Sequence, residues 1–108
     1  MSISKNQFNA EGKEEGYWVE NHDNGQLWYK QNFINGELDG WMESYYKNGQ
    51  LGTRGNFING KEDGWWEYYH NSGNLSAKGN FINGEKDGLW EEYDYKGNLS
   101  KKIFYANI

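Results

Sequence analysis

The sequence predicts an all-β protein, an antiparallel meander of repeated β-hairpins that forms one elongated, single-layer sheet. Two observations lead to this prediction: a 24-residue period that begins at Gly16, and Asn-Gly or similar pairs spaced alternately 11 and 13 residues apart. A regular repeat indicates that one small unit stacks on copies of itself, because a single unit cannot bury its apolar side alone. We therefore expect a short array of stacked hairpins.

Two glycine series, a leucine series and an aromatic series carry the period. They are Gly16, Gly40, Gly64 and Gly88; Gly25, Gly49, Gly73 and Gly97; Leu27, Leu51, Leu75 and Leu99; and Phe33, Phe57, Phe81 and Tyr105. We predict a single repeat domain over residues 1–108, with an N-terminal cap at 1–15 and repeats at 16–39, 40–63, 64–87 and 88–108. Phe8 lies one residue out of step with Phe33, which indicates a bulged or degenerate first unit.

The paired residues between the strands predict tight turns. Asn-Gly is favoured at the centre of a type I′ turn, where both residues need positive φ. The pairs are Asn24-Gly25, Asn35-Gly36, Asn48-Gly49, Asn59-Gly60, Ser72-Gly73, Asn83-Gly84 and Lys96-Gly97. They leave segments of about seven residues, an ordinary strand length. The chain has no proline to interrupt ladder hydrogen bonds, and its glycines are too frequent for helices.

A two-residue turn fixes which residues face each other. A turn at Asn48-Gly49 and its equivalents places opposite charges together in three hairpins: Glu43 with Arg54, Glu67 with Lys78, and Glu91 with Lys102. The same rule places Met42 opposite Gly55 and Trp66 opposite Gly79, where a large side chain can lie over a bare backbone. Trp90 departs from this pattern and faces Ile103.

Alternation along the strands sorts the side chains into two faces. We assign to the packing face Trp18, Met42, Trp66, Trp90, the leucine series, Phe33, Phe57 and Phe81. The second face then carries Tyr17, Trp41, Trp65, Leu89, Tyr45, Tyr69, Tyr93, the charged pairs, Ile34, Ile58 and Ile82. Exposed rings bordered by charges are typical of an interaction surface. The candidate partner-binding residues are Trp41, Tyr45, Trp65, Tyr69 and Tyr93. Alternatively, the sheet curls until its packing face closes on itself.

Composition excludes several classes of protein. The 6 Trp and 9 Tyr compensate for few aliphatic residues, so a core built from rings is expected. A mean hydropathy of -1.15 argues against membrane insertion, and a net charge of -5 argues against nucleic-acid binding. The N-terminus has no apolar leader, which predicts a cytoplasmic protein. Without cysteine there is no disulfide and no thiolate nucleophile.

Three groups of polar residues were candidates for chemistry. His22 and His70 are two repeats apart, about 19 Å by strand spacing, which is too far to share a metal. The pairs Asp39-Gly40, Asp63-Gly64 and Asp87-Gly88 could offer oxygen ligands to calcium, but turn formation is the better explanation. Glu43, Glu67 and Glu91 stand about 10 Å apart, each with a basic partner that keeps it ionised. We expect no enzyme activity, no metal and no cofactor.

A family resemblance adds to these inferences. The segments Gly64-Trp65-Trp66-Glu67-Tyr68-Tyr69 and Asn80-Phe81-Ile82-Asn83-Gly84 resemble the bacterial variant of the MORN repeat, which is also present in antitoxins of the YwqK type. The resemblance covers about residues 12–105, and the chain departs from the motif at Asn21 and Met42. It implies β-hairpin arrays that act in protein-protein contact, with lipid binding in some relatives, and no shared catalytic residue.

The function expected from the sequence is a non-catalytic protein-protein interaction module that neutralises a toxin or another effector protein. Self-association through a sheet face or through the C-terminal edge at residues 101–108 is a variant of the same hypothesis. One alternative is a carbohydrate binder whose regularly spaced rings stack on sugars. Another is a phage- or virus-encoded inhibitor of a host protein. The missing export signal favours protein binding over carbohydrate binding.

Overall fold

The computed structural model describes residues 5–106, so the outermost residues of the predicted cap and of the last repeat lie outside it. This part of the chain folds into ten β-strands without a helix, which confirms the all-β prediction. The strands are β1 (Gln7–Phe8), β2 (Glu14–Asn21), β3 (Leu27–Ile34), β4 (Glu37–Leu38), β5 (Gly40–Tyr45), β6 (Leu51–Ile58), β7 (Lys61–Tyr69), β8 (Leu75–Ile82), β9 (Glu85–Tyr93) and β10 (Leu99–Tyr105). Between residues 5 and 106, no helix has the length and apolarity needed to cross a membrane.

The strands form a single antiparallel sheet in chain order. Each long strand pairs with the next one, and β4 pairs with β3 before leading into β5, so that β4 and β5 are two parts of one hairpin arm. The strands β1 and β10 lie at opposite edges. The meander is confirmed and the sheet is open, so the alternative of a sheet closed on itself is wrong.

Three of the predicted turns have the predicted conformation. Asn35, Asn59 and Asn83 have φ between 51° and 53°, and the glycine that follows each of them also has positive φ. The flanking residues pair directly, as Ile58 does with Lys61. Positive φ at both central residues is the requirement of a type I′ turn, so these Asn-Gly pairs form the two-residue hairpins that the sequence predicts.

The other four turns contain three residues. In the loop between β5 and β6, the Tyr46 N–H donates to the Gln50 carbonyl at 2.9 Å, and the Gly49 N–H donates to the Tyr46 carbonyl at 2.9 Å. Gly49 has a φ of 88°. This is a type I turn followed by a left-handed glycine. The two-residue prediction is therefore wrong at Asn24-Gly25, Asn48-Gly49, Ser72-Gly73 and Lys96-Gly97.

Side chains connect these three-residue loops to one another. The Asn48 side-chain amide donates to the Asn71 carbonyl in the next loop at 2.7 Å, and the Asn24 amide donates to the Lys47 carbonyl at 2.9 Å. Within its own loop, the Asn48 side-chain oxygen accepts the Gln50 N–H at 2.9 Å. An asparagine used in both ways holds its own turn and joins it to the following repeat.

A bulge beside each three-residue loop restores the predicted register. Tyr45 pairs with Leu51, but Ser44 pairs with Thr53, so one extra residue on β6 compensates for the extra residue in the loop. All five cross-strand pairs predicted from the sequence, and the pairing of Trp90 with Ile103, are present. The leucine assignment is wrong, however. Each of Leu51, Leu75 and Leu99 pairs with a tyrosine of the second face, because the loop is one residue longer than predicted.

A second type of bulge lies inside β7 and β9. Arg54 pairs with Glu67 while Asn56 pairs with Asp63, so residues 64–66 oppose Gly55 alone. Gly64 has a φ of 82° there. The same arrangement sets residues 88–90 against Gly79. Bulges bend the strand that contains them. The predicted Asp-Gly turns at Asp63-Gly64 and Asp87-Gly88 are thus wrong: each pair lies within a strand, and its glycine permits the bulge.

These bulges place an indole directly on a glycine. A Cβ atom built on Gly55 would lie 2.1 Å from Cδ2 of Trp66, and one built on Gly79 would lie 2.3 Å from Cδ2 of Trp90. The predicted contact of a large side chain with a glycine is therefore real, but the ring comes from the following hairpin and not from the register partner. Gln31 of the first repeat and Met42 of the second occupy the positions equivalent to Gly55 and Trp66. A side chain at residue 31 thus accompanies the smaller, flexible Met42.

The core consists of rings, as predicted. Trp66, Phe81 and Trp90 are buried, and Met42, Phe57, Tyr68, Ala77 and Tyr105 pack around them. Phe57 meets Trp66 and Phe81 meets Trp90 edge to face, each with ring centroids 5.0 Å apart. The indole N–H groups of Trp66 and Trp90 donate to the Asn56 and Asn80 carbonyls. Burial, reinforced by the charge of Glu62, raises the pKa of Tyr68 to about 12.

The N-terminal end of the packing face follows the same plan with one irregularity. Trp18 packs edge to face between Phe8 and Phe33, at centroid distances of 5.3 and 5.7 Å. The preceding loop has three residues, with the Asn9 N–H bonded to the Lys13 carbonyl, where the later repeats have a two-residue turn. This extra residue explains why Phe8 is out of step. In the same hairpin, the Trp18 indole N–H is buried and has no hydrogen-bond partner.

Candidate interaction surface

A row of alternating charges crosses the face opposite to the packing face. We call it the charge ladder; in strand order it consists of Lys30, Glu43, Arg54, Glu67, Lys78, Glu91 and Lys102, each in register with the next. The sequence predicted three separate pairs within hairpins. The structure joins these pairs into one row, because the lysine or arginine of each hairpin also pairs with the glutamate of the next hairpin.

The closest ion pairs of the ladder connect neighbouring repeats. Arg54 Nε lies 2.5 Å from Glu67 Oε1, Lys30 Nζ lies 3.7 Å from Glu43 Oε1, and Lys78 Nζ lies 3.9 Å from Glu91 Oε1. Each cross-strand pair contributes about 0.2–1 kcal/mol. The ladder therefore adds a modest energy, but it fixes the register between repeats along the whole sheet.

The candidate aromatic residues surround the ladder glutamates. Trp41 Nε1 donates to Glu43 at 3.2 Å, and the Tyr45 hydroxyl donates to the same carboxylate at 2.8 Å. Trp65 and Tyr69 repeat these bonds to Glu67 at 3.1 and 3.0 Å. In the last repeat, Leu89 replaces the tryptophan, and the Tyr93 ring lies 5.8 Å from Lys78 Nζ. All five predicted site residues thus lie on one face.

Exposure divides these five residues into two groups. The Trp41 and Trp65 side chains are 52% and 48% exposed, whereas the three tyrosines are half-buried between the ladder charges. Leu89, at 48%, occupies the tryptophan position of the last repeat. Three exposed isoleucines lie on the same face. Each follows, by two residues, the asparagine that pairs with the aromatic residue at the Trp41 or equivalent position. We call the whole set the apolar strip: Ile34, Trp41, Ile58, Trp65, Ile82 and Leu89. The sequence placed the isoleucines on this face but did not include them in the site.

Hydrogen bonding controls the ionisation of the ladder glutamates. Burial alone raises the pKa of Glu67, but hydrogen bonds from Trp65, Arg54 and Tyr69 more than offset this effect. The net pKa of Glu67 lies below its ordinary value. Glu43 behaves in the same way, with burial opposed by bonds from Trp41 and Tyr45 and by nearby bases. Both carboxylates therefore stay ionised at neutral pH.

Acid sensitivity should follow from this ionisation. A carboxylate whose pKa is lower when folded stabilises the protein above its unfolded pKa of about 4.3, and this contribution is lost as the pH falls through the folded value. We expect Glu67→Gln to lower the free energy of unfolding by about 1 kcal/mol at pH 7. Below about pH 4.3, its melting temperature should decline less steeply than that of the wild type. The measurement is thermal unfolding between pH 2 and 7, with the exposed Glu85→Gln as control. An equally steep decline in Glu67→Gln would contradict the role of this carboxylate.

Acidic residues collect along one margin of the sheet. The segments 11–15, 37–39, 61–63 and 85–87 occupy equivalent places in successive repeats and together contain 9 Asp or Glu and 3 Lys. We call this the acidic margin; its net charge is 3 − 9 = -6. The remainder of the chain has 7 acids and 8 bases, a net charge of +1. The whole negative charge of the protein therefore lies at the side of the sheet where the type I′ turns are.

The histidines have structural contacts. His22 Nε2 donates to the Tyr45 carbonyl at 2.7 Å, and His70 Nε2 donates to the Tyr93 carbonyl at 2.9 Å. Both bonds connect a loop to the next repeat. Across residues 5–106, no three His, Cys, Asp or Glu side chains converge in a way that could hold a metal ion.

A cleft of about 270 Å³ lies near the loop between β2 and β3. Trp28, His22, Tyr46 and the predicted site residue Tyr45 line it, and Ser44, Thr53 and Lys47 add polar groups. Trp28 is 48% exposed and stacks on His22 at a centroid distance of 5.5 Å. The sequence reasoning did not find this cleft, because it was built on recurring residues and Trp28 is replaced by Gly52, Ser76 and Ser100 in the later repeats.

Comparison with known proteins identifies the repeat. The model of the MORN repeat variant family matches residues 14–35, 38–59, 62–83 and 86–107, which together make 88 of the 108 residues. Each matched segment begins two residues before a repeat predicted from the sequence. The match confirms the resemblance to the MORN repeat and does not extend to the antitoxin type. No curated protein and no solved structure shows significant similarity to the chain. The glycine bulges, the ring core and the four matched segments together show that this chain belongs to the MORN repeat variant family.

Proposed function

We propose that this protein is a non-catalytic protein-binding module and that its contact surface is the apolar strip with the adjoining Tyr45, Tyr69 and Tyr93. One observation supports this proposal above all: half-exposed apolar side chains recur on the same face in successive repeats, bordered by charges. Exposed apolar patches with a polar rim are typical of protein interaction sites. Tryptophan and tyrosine are also the residues that most often dominate binding energies.

The geometry favours binding because the rings are held before a partner arrives. The bonds from Trp41 to Glu43 and from Trp65 to Glu67 restrict the indoles, and the tyrosine hydroxyls hold the same carboxylates from the other side. A side chain that is already ordered loses less conformational entropy on binding. The ladder thus supports the strip as well as the register of the sheet.

The charge distribution indicates the chemistry of the partner. The acidic margin attracts a basic surface, and the apolar strip requires apolar groups next to it. We therefore propose as partner a toxin or another effector protein with a basic patch around an apolar centre, bound in the cytoplasm. The lowered pKa values of Glu43 and Glu67 argue against a general-acid role for these two carboxylates, because a general acid needs a proton at neutral pH.

Binding should be lost, with only a small loss of stability, in the double variant Trp41→Ala/Trp65→Ala. We expect its affinity for the partner to fall at least about 30-fold, as truncation of two hot-spot side chains commonly costs 2 kcal/mol or more. The measurement is affinity capture from a lysate of the source organism, followed by titration of the captured protein. Trp28→Ala is the matched control, because this indole is also 48% exposed but does not belong to the apolar strip.

The two outcomes of this experiment are distinct. Capture of one stoichiometric protein by the wild type and by Trp28→Ala, but not by the double variant, supports the proposal, provided that the double variant still unfolds cooperatively near the wild-type melting temperature. Equal capture by all three proteins would overturn it. Binding that weakens as salt is raised would support the role of the acidic margin.

The cleft supports a second candidate function, the carbohydrate binding considered from the sequence. An exposed indole, three further rings and the hydroxyls of Ser44 and Thr53 are groups that could stack on and hydrogen-bond to a sugar ring. A glycan array separates the two functions. Retention that depends on Trp28 and not on Trp65 would favour the carbohydrate candidate over the protein-binding one.

A further inference from the structure

The two edges of the sheet are finished differently. At the N-terminal edge, the Asn6 side chain pairs with the backbone of Val19: its amide donates to the Val19 carbonyl at 3.0 Å, and its oxygen accepts the Val19 N–H at 2.8 Å. The Asn6 N–H also donates to the Tyr17 carbonyl at 2.8 Å. At the other edge, β10 pairs with β9, and no described residue lies on its outer side. At the N-terminal end of the sheet, Asn6 bonds to backbone groups of β2 beyond the two-residue strand β1, whereas the outer backbone groups along all of β10 have no partner among the described residues.

The charge ladder has the same asymmetry. At its start, Lys30 faces Val19, an apolar residue in the position where later repeats have a glutamate. At its end, Lys102 lies on the open edge strand beside Lys101, and both side chains are exposed. Neither lysine forms an ion pair with any residue between 5 and 106. The ladder therefore ends on a base whose outer side has no carboxylate.

We infer that the outer edge of β10 pairs with an extended segment of another protein that carries two adjacent carboxylates, one opposite Lys101 and one opposite Lys102. The strand β9 shows the arrangement on the inner side, where Glu92 faces Lys101 and Glu91 faces Lys102. A segment with the same acidic pair would continue the ladder by one rung. Strand addition at a free edge supplies backbone hydrogen bonds, and the side chains opposite each other select the sequence.

Two other occupants fit this edge less well. A further hairpin of the same repeat with tryptophan at its bulge would need a glycine at residue 103, because that tryptophan lies on the bare backbone of Gly55 and Gly79 in the earlier repeats. Ile103 has a side chain there. A second copy of this chain, paired antiparallel about the middle of β10, would bring lysines close to lysines, and like charges on adjoining strands repel. Phe104, which is 73% exposed, offers apolar contact to a simple strand.

The test uses two synthetic peptides with the protein as it stands. The acidic probe is an eight-residue strand of alternating threonine and valine with two adjacent glutamates at its centre, and the basic probe has two lysines instead. We expect the acidic probe to slow amide hydrogen exchange in β10 and to bind about tenfold more tightly than the basic one, since two attractive pairs replace two repulsive pairs. In Lys101→Glu/Lys102→Glu the preference should reverse. Lys47→Glu/Lys96→Glu changes the net charge equally but in exposed loops, and it should keep the original preference.

Several outcomes would overturn the inference: equal binding of both probes, protection outside β10, reversal in the loop variant, or dimerisation of the free protein through β10. The result does not depend on the proposed function. Trp41→Ala/Trp65→Ala alters the apolar strip and leaves β10 untouched, so it should bind the acidic probe as the wild type does. Failure of one proposal therefore leaves the other open to its own test.

Discussion

Trp66→Ala is expected to lower the free energy of unfolding by about 3–5 kcal/mol, the usual cost of removing a buried aromatic side chain. Trp66 is 3% exposed and meets Phe57 and Phe81 edge to face and Tyr68 in a stack. Its removal would leave a cavity between the second and third repeats. In an array, each repeat is stabilised by its neighbours, so this loss should separate the sheet into two parts.

Trp65→Ala is the matched control, because it changes the same residue type one position away. Trp65 is 48% exposed, and its alanine variant should lose less than about 1 kcal/mol. Urea unfolding followed by far-UV circular dichroism measures both variants. A single cooperative transition of unchanged midpoint in Trp66→Ala would contradict a core built around this ring. Similar losses in the two variants would contradict the assignment of the faces.

Gly79→Ala should be strongly destabilising, with an expected loss of about 2–4 kcal/mol in the free energy of unfolding. The added methyl group would lie 2.3 Å from Cδ2 of Trp90, which is 1% exposed and cannot move away. Gly52→Ala is the control, since its methyl group would make an ordinary contact 3.4 Å from the Tyr46 ring. We expect this control to change stability by less than about 1 kcal/mol.

The chain itself suggests how to rescue Gly79→Ala. Between the first and second repeats, Gln31 occupies the glycine position and Met42 the tryptophan position, so a side chain there coexists with a flexible partner. In the background of Trp90→Met, the additional change Gly79→Ala should therefore cost much less than it does in the wild type. A double-mutant cycle from equilibrium unfolding measures this coupling. Additive losses would show that Gly79 is needed for a reason other than the indole.

Much of this architecture could be predicted because it rests on local chemistry that recurs. The Asn-Gly pairs at residues 35–36, 59–60 and 83–84 form the expected turns, since both residues tolerate positive φ. The cross-strand pairs and the separation of Trp65 from Trp66 followed from the period and from alternation. The ring core followed from a composition that has few other apolar residues.

The remaining features depend on contacts between repeats, which a local pattern does not contain. Asn48-Gly49 has the same two letters as Asn59-Gly60, but its asparagine bonds to Asn71 in the next loop, and its turn has a different conformation. This difference moved the leucines to the other face. The charge ladder was predicted as separate pairs for the same reason. Trp28 was missed because it does not recur.

The loop contacts also impose a direction on the molecule. Asn24 reaches forward to the loop at residue 47, Asn48 to the loop at residue 71, and His70 to Tyr93. During synthesis on the ribosome, the loop of each new hairpin must therefore wait for its hydrogen-bond acceptor, because that carbonyl belongs to the next hairpin, which has not yet been translated. We therefore expect the repeats to complete their folding in order from the N-terminus to the C-terminus, each one only after the following repeat has been synthesised.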